Sequence, residues 1–339
     1  MNSPMQDLRT PSAQATGSAT QDLQMPGTQM RFVSAEELAE AVDRDAAREA
    51  IAEALLSEFV PAEDPPRSHV SAGNGHLLLM PSSLQEWVGI KIASVAPENP
   101  AQGLPRIQAQ YLLMDAATLT PRLLVDGSPL TLLRTPAVTA VACDHLARED
   151  ASRAVIFGSG PQAIEHAIAV ALIRELADVA LIGRNAERTQ QAVDALQERG
   201  VPARAGSAVE DVPGADIIIC ATSSAEPLFD GALVADGACV AAMGSHEPDR
   251  RELDGRSLQR SLVVVEEHSA AGREAGDVVL AQAEGLIELR QLHELQDLVR
   301  GDVQRREDRP NVFKGTGMAW QDLAVVARLA ARLPHSLSS

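Results

Sequence analysis

The stretch Arg153-Ala154-Val155-Ile156-Phe157-Gly158-Ser159-Gly160-Pro161-Gln162-Ala163 decides the fold of this chain. Its apolar first half has the character of a buried strand, and apolar residues recur at helical spacing after it, through residue 173. A second apolar run, residues 179–182, stops at another glycine. A strand, a glycine turn, a helix and a strand within about thirty residues form the setting of a dinucleotide-binding fingerprint. The sequence therefore predicts a pyrophosphate site at the helix N-terminus. Its residues are Gly158, Ser159, Gly160, Pro161 and Gln162.

The second strand ends at Gly183-Arg184-Asn185, a position without a carboxylate. Sites for NAD usually place an acidic residue here to accept the ribose 2′-hydroxyl. An arginine instead suits a 2′-phosphate, because its guanidinium forms charge-assisted, bidentate hydrogen bonds. Arg184 and Asn185 are therefore predicted cofactor-binding residues, and NADP(H) is favoured while NAD(H) stays open. The alternative interpretation is a solvated arginine at a strand end.

Composition narrows the class of protein. The 339 residues suffice for two domains, and 45% of them are hydrophobic. A formal net charge of -18 argues against nucleic acid and anionic membranes as partners, since both need clustered cations. The three cysteines have no metal-ligand spacing, so no metal site is predicted, and no apolar run approaches the roughly twenty residues of a membrane span. A cytoplasmic enzyme is expected.

The rest of the chain divides into two kinds of pattern. Residues 1–30 are polar and lack periodicity, which predicts a disordered tail without an export or import signal. A capping box at Ser34 predicts a helix through Phe59, and the short strand-like runs 76–80, 88–95, 107–114 and 123–125 predict a mostly antiparallel sheet. A helix from about Pro136 to Ala147 leads into buried strand runs at 217–220, 238–243 and 262–265, typical of a parallel sheet, and residues 323–333 predict a last helix.

Charged and small residues outside the glycine loop form a series of motifs. They are Gly89-Ile90-Lys91, Asn99, Gly103-Leu104-Pro105, Asp115-Ala116, Asp126-Gly127, Leu130-Thr131-Leu132-Leu133-Arg134-Thr135 and the stretch Val312-Phe313-Lys314-Gly315-Thr316-Gly317-Met318-Ala319-Trp320-Gln321-Asp322. In this order they resemble the ornithine cyclodeaminase/mu-crystallin family, over about residues 31–333. The resemblance implies a homodimer of α/β class. A Rossmann-type doubly wound parallel sheet, residues 137–311, would be inserted in a smaller α+β substrate and dimerisation domain, residues 31–136 plus 312–339.

The resemblance also implies site residues. Lys91 and Arg134 match the family's substrate lysine and arginine, and Arg67 matches an arginine that binds the substrate carboxylate. Two arginines can bind the carboxylate of a small amino or imino acid through charge-assisted hydrogen bonds. An ordinary loop charge at Arg67 and a sheet-edge lysine at Lys91 are the alternatives. The remaining predicted cofactor-binding residues, beside the ribose and nicotinamide, are Thr222, Ser223, Met243 and Thr316.

The residue at position 246 differs from the one that the family's cyclodeaminases carry there. They resemble the loop Met243-Gly244-Ser245-His246 but carry an aspartate where His246 stands, and histidine cannot supply a fixed negative charge. It can hold and deliver a proton near neutral pH. The loop is similar to that of family members that reduce cyclic imines such as Δ1-pyrroline-2-carboxylate, so the hypothesis is an NAD(P)H-dependent reductase of small cyclic 2-imino acids, with His246 or Lys91 as proton donor.

Three other activities stay open at this stage. They are ornithine cyclodeaminase, amino-acid dehydrogenase and a non-catalytic NADPH-dependent binding protein like the crystallin member of the family. Smaller departures from the family pattern are Leu119 in place of a turn glycine, Pro136 in place of an alanine and Gly315 in place of a serine. We expect these departures to change the shape of the substrate pocket but not the class of reaction.

Overall fold

Two β-sheets, each covered by helices, organise the computed structural model, which describes residues 23–25 and 28–333. The strands are β1 Leu23–Met25, β2 Thr28–Val33, β3 Ser68–Ala72, β4 Gly75–Leu84, β5 Trp87–Val95, β6 Ile107–Asp115, β7 Pro121–Asp126, β8 Arg153–Phe157, β9 Asp178–Ile182, β10 Ala203–Ala205, β11 Ile217–Cys220, β12 Cys239–Ala242, β13 Leu262–Val265, β14 His293–Glu294 and β15 Asn311–Lys314. The α-helices are α1 Ala35–Ala41, α2 Arg44–Leu56, α3 Gly127–Leu146, α4 Pro161–Ile173, α5 Ala186–Gln197, α6 Ala208–Asp211, α7 Gly255–Gln259, α8 His268–Glu274, α9 Gly276–Ala283, α10 Leu295–Arg300 and α11 Ala319–Arg332. Short 3₁₀ turns occupy Pro61–Glu63, Asn99–Gln102, Val212–Gly214, Gly231–Leu233 and Leu289–Gln291.

The first sheet has the order β1-β2-β7-β6-β5-β4-β3. All its neighbours are antiparallel except β2 and β7, which confirms the predicted mostly antiparallel sheet. Side chains alternate between faces along β5, so that Lys91 points inward while Ile90 and Ile92 point outward. Helices α3 and α11 pack against this sheet. A charged lysine is thereby placed on the buried face.

The second sheet has the order β10-β9-β8-β11-β12-β15-β13-β14, and every pairing in it is parallel. The chain runs outward from β8 to β10 and then resumes on the other side of β8 at β11, so the order reverses between β8 and β11. Ligands of doubly wound sheets bind at this reversal, beyond the carboxyl ends of the strands. The carboxyl ends of β8, β11 and β12 lie level with one another, because Cys220 at the end of β11 pairs with Phe157 on one side and with Ala242 on the other. The predicted fold class is confirmed.

Four expectations about element bounds need correction. The predicted disordered tail includes residues 23–25 and 28–30, which form β1 and the first half of β2; residues 1–22 and 26–27 lie outside the described part. The polar composition of this segment gave no sign of a strand, but residues 23–25 and 28–30 pair with each other through their backbones as an antiparallel hairpin that continues into the strand beside β7. The predicted helix through Phe59 is two helices, because Asp43 caps a new one through the amide of Ala46. Helix α3 begins at Gly127, nine residues before Pro136, since Asp126 caps it.

The fourth correction concerns the second domain boundary. Strand β15 pairs with β12 and β13 inside the parallel sheet, so a boundary between residues 311 and 312 would cut through this strand. We propose that the parallel-sheet domain extends through Lys314. No described helix combines the length and apolar character needed to cross a membrane.

Candidate active site

The glycine loop after β8 has the geometry that a pyrophosphate needs. Gly158 has a φ of +126°, and a Cβ on it would lie 2.7 Å from the carbonyl oxygen of Ala221. A Cβ on Gly160 would meet nothing within 4 Å, so its backbone is open to a ligand. Gly160 is the N-cap of α4 and Pro161 its first residue, and no side chain caps this helix. The free amides at the start of α4 therefore face open space, which fits the phosphates of a dinucleotide.

The adjoining predicted residues surround this loop. The Oγ of Ser159 borders Gly183, where an added Cβ would come within 3.1 Å of it. The side-chain amide of Gln162 donates to the carbonyl oxygen of Thr131 at 3.4 Å, and its Oε1 is buried without a partner among the described residues. Ser159 and Gln162 thus flank the start of α4 from the side of β9 and the side of α3.

The end of β9 supplies cations to the same edge. Arg184 is exposed, and in the described part of the chain its guanidinium forms no hydrogen bond or ion pair. Arg188, one turn later, is exposed as well. Asn185 has a structural task, because its side chain accepts from the amide of Arg188 at 2.9 Å and caps α5. Of the two predicted residues, Arg184 is the one whose side chain is free to meet an adenosine ribose.

The other predicted cofactor residues follow the ends of β11, β12 and β15. The buried carboxylate of Glu252 accepts from the amide and hydroxyl of Thr222, both at 2.7 Å, and from the amide of Gly244 at 2.7 Å. Ser223 is exposed beside it. Met243 packs against the backbone of Gly315, since a Cβ there would collide with its side chain. One buried acid therefore joins the loops after β11 and β12.

Thr316 is held in the same manner by a second buried acid. Its amide and that of Gly317 donate to one oxygen of Glu266, at 2.8 and 2.9 Å. The other oxygen of Glu266 accepts from the side-chain amide of Gln321 at 2.6 Å. The loop after β15 is thereby fixed between the parallel sheet and α11.

Two of the three predicted substrate cations meet on one carboxylate. The Nζ of Lys91, on β5, donates to Asp322 at 2.7 Å, and the Nε of Arg134, on α3, donates to the other oxygen of Asp322 at 3.3 Å. The Nη1 of Arg134 also donates to the side-chain oxygen of Gln321 at 2.9 Å. Both cations are at most 5% exposed, and Asp322 is fully buried. Residues that are far apart in the sequence thus form a single polar cluster.

The third cation, Arg67, approaches this cluster from the loop before β3. Its Nε is 2.7 Å from a carboxylate oxygen of Glu274, and its Nη2 donates to the carbonyl oxygens of Thr316 and Gly317 at 3.0 and 2.6 Å. Gly317 also touches Arg134, since a Cβ there would lie 2.6 Å from Nη1 of that arginine. The two guanidinium groups therefore converge on Gly317. Beside Arg67 a cavity of about 260 Å³ is lined partly by Met80 and Met318.

Burial changes the acid–base behaviour of Lys91. Its pKa is lowered to about 8: loss of water is the largest cause, the charge of Arg134 acts in the same direction, and Asp322 opposes both effects. A lysine in this range is protonated at neutral pH and able to give up its proton near that pH.

His246 lies on the loop after β12, at the exposed rim of the cleft. The protein around the ring displaces much of its water, and this desolvation lowers its pKa below the ordinary value, with the charge of Arg67 adding to the effect. The imidazole is therefore mainly neutral at pH 7. A hydrogen bond between the ring and the backbone of Gly244 opposes this shift without reversing it. His246 is near Arg67, whose positive charge disfavours the protonated ring.

Asp322, Gln321, Glu266 and Lys314 were not among the predicted site residues. Lys314, at the end of β15, donates to the carbonyl oxygen of Ser245 at 2.7 Å and lies 3.0 Å from Asp277. One sequence signal could have identified it. The whole chain has only two lysines, Lys91 and Lys314, while every other basic side chain apart from histidine is an arginine. Both lysines are buried against an aspartate at the carboxyl edge of the parallel sheet or next to it.

Comparison with known proteins agrees with this geometry. Residues 28–334 match the family described as "Ornithine cyclodeaminase/mu-crystallin family". The chain belongs to this family. It is 36% identical over 260 residues to a Delta(1)-pyrroline-2-carboxylate reductase of Bacillus cereus, covering 74% of this chain and 80% of that protein.

Two solved structures resemble the fold over 89% of this chain. The structure of Thermococcus litoralis Delta(1)-pyrroline-2-carboxylate reductase in complex with NADH and L-proline has a TM-score of 0.83 at 29% identity, covering 89% of this chain and 96% of that one. An archaeal alanine dehydrogenase dimer with bound NAD has a TM-score of 0.82 at 26% identity, covering 89% and 95%. The family resemblance inferred from the sequence motifs is confirmed.

Proposed function

We propose that the protein is an NAD(P)H-dependent reductase of small cyclic 2-imino acids. Its substrates would be Δ1-pyrroline-2-carboxylate, Δ1-piperideine-2-carboxylate or both, with L-proline or L-pipecolate as product. The observation that carries the proposal is the convergence of Arg67, Lys91 and Arg134 around Gly317 and Asp322, at the loop that follows β15 of the parallel sheet. Relatives named for reduction of the five-membered imine support it.

The substrate carboxylate would be held by one terminal nitrogen from each arginine. In the described structure Nη1 of Arg67 and Nη2 of Arg134 have no hydrogen-bond partner, whereas Nη2 of Arg67 and both Nε and Nη1 of Arg134 form hydrogen bonds and Nε of Arg67 forms an ion pair with Glu274. Each guanidinium is thus fixed by the protein and offers one end to a ligand. Such preorganised donors orient a small anion at little cost in conformational entropy.

Bound nicotinamide cofactor supplies the hydride in this chemistry. This chain must supply a proton for the imine nitrogen, and we propose that Lys91 gives it. Its pKa of about 8 keeps it charged at neutral pH, and its ammonium has N–H groups beyond the one that Asp322 accepts. His246 would line the cleft near Arg67. Because its lowered pKa keeps the ring mainly neutral, it would supply no charge to pair with a charged group on the substrate.

Two further features belong to the proposal. We favour NADP(H) because Arg184 and Arg188 are exposed after β9, where a 2′-phosphate would lie, and because the end of the strand itself, Gly183-Arg184-Asn185, carries no carboxylate. We also propose a homodimer through the outer face of the antiparallel sheet. Leu79 pairs with Ile92 and Ile90 with Leu112 on this face, and these apolar side chains are half-buried or exposed. An Ile92→Asp variant that sediments like the wild type would contradict the dimer surface.

The experiment compares three activities of the full chain. We expect rapid loss of nicotinamide absorbance with Δ1-pyrroline-2-carboxylate and NADPH, and no ammonia from L-ornithine with NAD. Lys91→Met should abolish the reduction while the dissociation constant for NADPH stays unchanged. Ammonia from ornithine would instead establish a cyclodeaminase, turnover of L-alanine an amino-acid dehydrogenase, and NADPH binding without any turnover a binding protein.

A further inference from the structure

We infer that Asp322 is a positioning residue, whose buried carboxylate fixes Lys91 and Arg134 against each other so that their free N–H groups address one substrate. The inference rests on the proposed function. Asp322 does not reach the substrate itself. It acts through two side chains that the antiparallel sheet and α3 contribute separately.

The geometry gives each oxygen of the carboxylate one cation. Oδ2 accepts from Lys91 at 2.7 Å and Oδ1 from Arg134 at 3.3 Å, so that one carboxylate in one orientation serves both cations. Asp322 lies in the first turn of α11 and is fully buried. Neighbouring Gln321 adds a second constraint on Arg134, because its amide is oriented by Glu266 and can present only its oxygen to the guanidinium.

The charges around Lys91 explain why a carboxylate is needed. Arg134 on α3 and Arg67 on the loop before β3 both oppose a proton on Lys91. Tyr111, its cross-strand partner on β6, is neutral, since burial and Asp322 raise the pKa of the phenol. Among the charged groups of the described residues that act most strongly on Lys91, Asp322 is the anion that counteracts this field. Without it two buried cations would face each other, and the lysine would lose its proton first, because arginine remains charged at all ordinary pH values.

The chain offers an unusually clean test, because it has two lysines. Protein made with ¹³C-labelled lysine gives two side-chain signals, which Lys91→Arg assigns. In Asp322→Asn, which preserves shape, we expect the titration of Lys91 to move down by about 1–3 pH units and that of Lys314 to stay in place. The alkaline fall of kcat/KM for imine reduction should move down with the Lys91 signal, while NADPH binding is unchanged.

Asp322→Glu separates charge from position. It retains the negative charge but displaces it by one methylene, so we expect a nearly unchanged Lys91 titration together with a reduced kcat. A kcat equal to that of the wild type would overturn the positioning role. So would an Asp322→Asn protein whose Lys91 signal and pH profile do not move.

If Asp322→Asn does not fold, the wild type and Asp322→Glu decide the matter, and a Lys91 signal in the wild type that titrates as an exposed lysine does would overturn the inference. The NMR titration needs no turnover, so its outcome is distinct from a failure of the reductase proposal, which would appear as wild type that reduces no cyclic imine.

Discussion

Replacing Gly317 by alanine should disable the proposed substrate site without unfolding the protein. The added Cβ would lie 2.6 Å from Nη1 of Arg134, whereas ordinary contacts begin at 3.4 Å. Relieving the collision requires a displacement of 0.8 Å, and the hydrogen bond from Nη1 to Gln321, now 2.9 Å, would then exceed hydrogen-bond length. A misplacement of about 1 Å in a catalytic site can cost on the order of 100-fold. We therefore expect kcat/KM for Δ1-pyrroline-2-carboxylate to fall by about 10- to 100-fold.

The matched control is Gly301→Ala. Gly317 has a φ of +80° and Gly301 a φ of +85°, so that alanine suffers the same left-handed strain, about 1 kcal/mol, at both. A Cβ on Gly301 meets nothing within 4 Å, and this glycine ends α10 away from the cations. Steady-state kinetics at saturating NADPH, together with urea unfolding, should show equal losses of stability but a kinetic defect only in Gly317→Ala. Equal kinetic constants in the two variants would refute the role assigned to Arg134.

Four further outcomes are expected. Arg184→Asp should shift the ratio of kcat/KM values from NADPH toward NADH, and an unaltered ratio would remove Arg184 from the cofactor site. Lys314→Met leaves Asp277 buried and unpaired, so urea unfolding should show a loss of about 3–5 kcal/mol; a loss under about 1 kcal/mol would show that the pair contributes little. Leu119→Gly should raise the free energy of unfolding by up to about 1 kcal/mol, since Leu119 has a φ of +55° and an exposed side chain, and a decrease would contradict this reasoning. Oxidation of L-proline should increase as pH rises through about 8, because Lys91 must then accept a proton; a flat profile would exclude Lys91 as the proton carrier.

Local patterns predicted most of the elements that position the site. The buried strands at 217–220 and 262–265 match β11 and β13, because continuous apolar runs between turns have few other uses. Helix α3 shows where such reasoning stops. A start at about Pro136 is predicted, yet Asp126 caps the helix ten residues earlier and the helix carries the proline in its interior. Both Asp126, as an N-cap, and Pro136, as a residue common in the first turn, indicate a helix start. The sequence near each residue does not show which start is used, because that depends on how the helix packs in the folded protein.

The polar cluster was harder to predict for a different reason. Lys91 and Asp322 are 231 residues apart, and neither shows its partner in its own neighbourhood of the sequence. The family motifs identified the cations, which bear the substrate chemistry, but gave no cause to single out the carboxylate that holds them. Composition offered an unused clue, since a chain that otherwise employs arginine throughout retains lysine at two buried positions.

The scarcity of lysine has a practical consequence for measuring how this molecule opens. A protease that cuts only after lysine finds both of its sites inside the native fold, one in the middle of β5 and the other at the end of β15. Cleavage after Lys91 would report opening of the antiparallel sheet, and cleavage after Lys314 opening of the parallel sheet. The ratio of the two cuts, followed over time in native buffer, would thus show which half of the protein opens first.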